Sequence, residues 1–196
     1  MSEIKSAREI AMEKVERLDR ATDEERLRWQ YVPEGEKLAA TYLRQNYNLL
    51  VELGKYDEKA RKYVAEGAGE VLIRSISLPK DDLAKRRNRK AMDGLKILKS
   101  DKVSVENVYS KIRRIFNHYT DQGEQQKRQA YEKLKAEFEA KVQQAVQQQV
   151  GLFSGIKINV EQQPQFQIEW RKLQAQLDSQ YLKLLDEFKL ELPAIP

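Results

Sequence analysis

Residues 165–191 read QFQIEWRKLQAQLDSQYLKLLDEFKLE. The apolar members Phe166, Trp170, Leu173, Leu177, Tyr181, Leu184 and Phe188 follow one another at intervals of 4, 3, 4, 4, 3 and 4 residues. Such intervals return to one face of a 3.6-residue helix, whereas a strand needs every second residue. Neither glycine nor proline interrupts the stretch, so nothing stops the helix. Upstream, Glu124 to Val150 is equally free of breakers and places Tyr131, Leu134, Phe138, Val142, Ala145 and Val146 on one side. At 1.5 Å per residue each helix is about 40 Å long. Two rods of similar length with a short link bury their stripes most simply by folding back antiparallel. The pattern therefore predicts a long helical hairpin over residues 121–192.

The link reads GLFSGIKINV from Gly151 to Val160. Gly151 and Gly155 permit a sharp exit from the helix. Ile156, Ile158 and Val160 alternate with Lys157 and Asn159, a period of two that predicts a short extended strand. Residues 151–163 are then an apolar, glycine-rich tip. An apolar tip with an unpaired strand edge is a feature that proteins usually cover. This makes Leu152, Phe153, Ile156 and Ile158 the candidate protein-binding residues, the alternative being that the strand folds back over its own helices. Their expected partner is another protein or a second copy of this chain.

Working back toward the N-terminus, Ile4, Ala7, Ala11, Val15 and Leu18 form one apolar stripe on a charged helix over about Glu3 to Arg20. Thr22 and Glu25 have capping-box spacing and start the next helix. Pro33 suits a first helical turn, and the apolar face beyond it ends at Gly54. Asp57 caps a helix in which EGAGE, with Gly67 and Gly69, predicts either a break or the close approach of another backbone. Asp81 or Asp82 caps a helix running to about Lys99, and Ser104 caps one carrying Val105, Val108, Ile112, Ile115, Phe116 and Tyr119.

Composition narrows the function classes. The 196 residues are 34% charged and contain no cysteine, which removes disulfides, thiolate metal sites and cysteine nucleophiles. No apolar run approaches the roughly 20 residues of a membrane span, and the charged N-terminus has no secretory pattern. A cytoplasmic setting follows as the expectation. Residues 121–196 hold 10 Lys/Arg against 11 Asp/Glu, leaving 26 against 20 for residues 1–120. The basic excess thus belongs to the first part of the chain.

The densest positive run, KRRNRK at Lys85–Lys90, proposes Arg86, Arg87, Arg89 and Lys90 as nucleic-acid contacts, since phosphates require such clusters. Against this, no aromatic residue stands between Lys80 and Lys102 to stack on a base. Ala84, Asn88, Ala91, Leu95 and Leu98 form only a narrow apolar stripe, which leaves a solvated basic face. His118 is the single histidine. It lacks partners for a zinc or copper site and has Ile115, not a glutamate, three residues before it, so the expected role is at a helix C-terminus. Carboxylates lie on charge-mixed helical faces, GAGE lacks the residues of a phosphate loop, and Trp29 and Trp170 sit at apolar spacing as packing residues. Catalytic, cofactor-binding and metal-binding residues are accordingly expected to be absent.

The segments EIKSAREIAMEKVERL (Glu3–Leu18) and YVPEGEKLAATYL (Tyr31–Leu43) resemble an uncharacterised family of small helical bacterial proteins. The shared features are the charged first helix and the glycine-containing start of a helix that ends in a small-x-x-Tyr-Leu pattern. The resemblance implies a bacterial cytosolic setting and brings no activity, cofactor or binding residue.

The sequence thus predicts an all-α protein. A mildly basic helical bundle spans residues 1–120, an antiparallel helix pair 121–192, and an extended tail 193–196. The expected function is non-catalytic, that of a self-associating interaction or scaffolding protein; the alternative is a weak RNA- or ribosome-associated protein.

Overall fold

A computed structural model describes residues 6, 12, 21–45, 47–150 and 159–196. The protein is all-α. The helices are α1 (Asp23–Arg44), α2 (Leu49–Leu53), α3 (Glu58–Ser75), α4 (Asp82–Leu98), α5 (Lys102–His118), α6 (Glu124–Val150) and α7 (Pro164–Lys189). A π-helical turn, Tyr119–Gly123, joins α5 to α6, and a 3₁₀ turn, Val160–Gln162, precedes α7. Most of the expected helix over Glu3–Arg20 and the tip residues Leu152, Phe153, Ile156 and Ile158 lie outside the described residues. Val160, expected in a strand, instead opens the 3₁₀ turn, where the Asn159 side chain accepts a hydrogen bond from the Glu161 amide.

Backbones cluster into two compact units. One comprises Met1–Ile76, Arg86–Lys102 and Ile195–Pro196; the other comprises Ser77–Lys85 and Val103–Ala194.

In the first unit α1 begins where Thr22 and Glu25 cap each other reciprocally. It runs on through Pro33, which was expected to open a helix. Proline removes one amide donor, and the burial of Gly35, Leu38, Ala39 and Tyr42 just beyond it holds the helix together. α3 is capped by Asp57, which accepts from the Ala60 amide at 2.8 Å. It too continues without a break, through both glycines of EGAGE. Of the two expected outcomes there, the close approach is the one realised. A Cβ on Gly67 would stand 2.1 Å from the Val32 carbonyl oxygen, and one on Gly35 would stand 2.0 Å from that of Val64. α1 and α3 therefore touch backbone to backbone, with Ala39, Val64 and Ala68 wholly buried along the seam. Leu72, Ala91 and Leu95 continue this core, and Gly94 admits Tyr42 and Leu72.

α5, which belongs to the second unit from Val103 on, starts at Lys102, two residues before Ser104, so the expected cap lies inside the helix. Val105, Ile112, Tyr119, Phe166, Leu185 and Leu192 are almost fully buried. Contacts link rising residue numbers on α5 and α6 to falling ones on α7 and the turn just after it: Lys111 with Glu191, His118 with Tyr181, Lys127 with Asp178, and Tyr131 with Trp170 and Phe166. The helices pack antiparallel along this line. Phe166 is wholly buried, with Tyr131 and Phe138 edge-on to it at 5.6 and 5.4 Å between centroids.

Candidate functional site

Two neighbouring arrangements in the second unit bring polar chemistry together. The first is a buried ion cluster at the π turn. A π turn fits one extra residue into the helical path and often marks a functional position. Here it carries Tyr119 into the interior, where its hydroxyl donates to Asp178 Oδ1 at 3.0 Å. Lys127 Nζ lies 3.0 Å from the same oxygen and donates to the Tyr119 hydroxyl, and Lys80 Nζ reaches Asp178 Oδ2 at 2.6 Å.

Asp178 and the Lys127 side chain are 5% and 12% exposed. A bare charge at that depth is costly, so each depends on the other. Burial alone would raise the Asp178 carboxyl, but hydrogen bonds from Lys80, Lys127 and Tyr119 outweigh it and hold the group below its ordinary range. Burial alone would lower the Lys127 ammonium, and its bonds to Tyr119 and Asp178 more than reverse this. The Tyr119 phenol is raised, chiefly by burial.

The second arrangement is an open cavity of about 500 Å³ beside the π turn. α5 contributes Lys111, Arg114, Ile115 and His118, the one-sided i, i+3, i+4, i+7 face of a helix. α7 contributes Gln180, Tyr181, Leu184 and Phe188, and α6 adds Gln126. Lys111 donates to both oxygens of Glu191, at 2.9 and 2.8 Å, and lies over the Phe188 ring. Arg114 has no ion pair among the described residues and is exposed. His118 was expected at a helix end, but the helical path continues past it as the π turn, so no free carbonyl terminus is there to receive a charge. Its Nδ1 lies 3.0 Å from the Tyr181 hydroxyl instead.

Arg86, Arg87 and Arg89 are exposed on α4 and make no ion pair among the described residues. Lys90 differs, since it donates to the Gln45 carbonyl at 2.6 Å and lies over the Tyr42 ring. Trp29, expected to pack, is 47% exposed, whereas Trp170 stands edge-on to Tyr131. No three His, Cys, Asp or Glu side chains gather to hold a metal ion among the described residues. No helix of the described residues is long and apolar enough to cross a membrane.

An all-helical protein with a buried ion cluster and a cation-bearing cavity beside it is the class that these features define. Residues 50–194 match the Family of unknown function (DUF6657), and the chain belongs to that family. No curated protein and no solved structure matches it. The matched span begins beyond the N-terminal segments on which the sequence resemblance rests. It includes both sites in the second unit.

Proposed function

We propose that the protein is a non-catalytic helical interaction or scaffolding protein that associates with a second copy of itself, in a bacterial cytoplasm. The observation that carries this is an apolar line on the outside of α7. Ile168 and Leu182 are 50% and 40% exposed, and exposed Ala175 stands midway between them. Their seven-residue spacing is that of one position in a heptad, so all three lie along one side of the helix. This line is distinct from the inward row of Phe166, Trp170, Leu173 and Leu177.

A second copy is the favoured occupant on two grounds. Residues 121–196 hold 10 basic against 11 acidic groups, so two copies meet with almost no net repulsion. The line is also symmetric about Ala175, whose small side chain allows two helix axes to approach at a two-fold axis. Ile168 would then meet Leu182 of the second copy, and the reverse. Leu152, Phe153, Ile156 and Ile158 enter this proposal on sequence grounds, as a further apolar contact.

The chain has no cysteine, so Ala175→Cys introduces a single thiol. Under mild oxidation this variant is expected to form a disulfide-linked dimer at micromolar concentration, while Lys133→Cys does not. Ile168→Lys combined with Leu182→Lys should bring the mass from twice the 23.0 kDa chain to one chain with helicity retained. A wild-type mass of one chain at every concentration would overturn the reading. Polar replacement of Leu152, Phe153, Ile156 and Ile158 tests the tip by the same mass measurement.

The alternative, an RNA- or ribosome-associated protein, is supported by the three exposed arginines of α4, with Lys90 as a weaker member because its ammonium is already engaged.

A further inference from the structure

The cavity at the π turn has a chemical polarity that self-association does not use. Its body is apolar, made by Ile115 and by two residues one turn apart on α7, Leu184 and Phe188. The polar lining groups are donors, or donors and acceptors together, and no carboxylate is among the residues that line it. Glu191 stands just outside and neutralises Lys111 through both of its oxygens. Among the described residues this leaves Arg114 as the lining cation without an ion-pair partner, next to the linked His118 and Tyr181 pair.

A guanidinium presents a planar fork of donors that matches the two oxygens of a carboxylate. One unpaired cation balances one negative charge, whereas a phosphate dianion would require more. A volume of about 500 Å³ also lies in the ordinary range for small-molecule sites. We infer that this cavity binds a small amphipathic monocarboxylate, its head on Arg114 beside His118 and Tyr181 and its apolar body over Ile115, Leu184 and Phe188.

Octanoate and octan-1-ol are suitable probes, because they share a tail and differ in the charge of the head. Binding is read in the full-length protein from the methyl resonances of Ile115 and Leu184. Octanoate is expected to shift both saturably, with octanol weaker by about tenfold or more, the loss that follows from one charge-assisted bond. Arg114→Gln, at an exposed position, should bring octanoate down to the level of octanol without altering the octanol titration. Phe188→Ala should weaken both probes. Equal affinity of the two probes in the wild type would overturn the inference. So would unchanged octanoate binding in Arg114→Gln, or no saturable shift with either probe. None of these results bears on dimer mass, so the inference stands or falls separately from self-association.

Discussion

Gly67 and Gly69 are two residues apart on one helix and both are buried, yet they answer to different constraints. At Gly67 an added Cβ meets the backbone of Val32 at 2.1 Å, and backbone cannot swing aside as a side chain can. At Gly69 the nearest atom is the end of Leu98, at 3.9 Å, which is ordinary contact. Gly69→Ala should therefore stabilise by about 0.5–1 kcal/mol, because alanine loses less backbone entropy in a helix. Gly67→Ala, and equally Gly35→Ala, should destabilise by about 2–3 kcal/mol, because the α1–α3 seam must open. Urea melts of the three variants check this through the sign of each change. Two effects of the same sign at Gly67 and Gly69 would mean that the seam is looser than its contacts require.

Across the π turn, α6 and α7, the ion cluster couples stability to pH. Asp178 titrates below its ordinary value of 3.8, so its contribution is complete above that value and is lost as pH falls through the depressed one. Lys127 is raised above its ordinary 10.5, so its contribution is complete below that value and is lost only as pH rises through the raised one. Asp178→Asn should therefore cost up to about 3–5 kcal/mol near neutral pH, because among the described residues buried Lys127 keeps as counter-charge only Glu124, which is 44% exposed and 3.4 Å away. The difference from wild type should shrink in strong acid, where the wild-type carboxylate is itself protonated. Thermal melts across pH check this; a gap that stays constant into strong acid would place the loss in packing and not in charge.

The cluster also marks where sequence patterning stops being informative. The inward faces of α6 and α7 are legible because Tyr131, Leu134 and Phe138, like Phe166 and Trp170, keep helical intervals. Stepping back four residues from Tyr131 reaches Lys127, and stepping back three from Tyr181, or seven from Leu185, reaches Asp178. Each is a charge on an apolar row, and their opposite signs were the available signal for a buried pair. The π turn has no comparable signal. Gly123 looks like a helix stop, but the path runs through it, with side-chain atoms of Tyr119 and Tyr181 3.3 Å from where a Cβ would stand. His118 and Arg114 are likewise legible as a polar helix face, but their meeting with Tyr181 and Gln180 depends on the register of α5 against α7, which no single helix specifies.

For the molecule as a whole, the two candidate interactions differ in physical origin and hence in their response to salt. The basic excess lies within residues 1–120, and the proposed dimer line lies in the balanced remainder. Apolar burial is not screened by ions, whereas polyanion binding weakens steeply as counterions compete. Sedimentation in low and high salt should therefore give the same dimer mass, while retention on heparin should fall with salt. Arg86→Glu, Arg87→Glu and Arg89→Glu together should remove any heparin retention and leave the dimer mass intact, since these side chains make no ion pair among the described residues whose loss would unsettle the fold. A dimer that dissociates as salt rises, or that is lost with the three arginines, would show that charge and not the Ile168–Ala175–Leu182 line holds the copies together. The basic face of α4 would then be the interface to pursue.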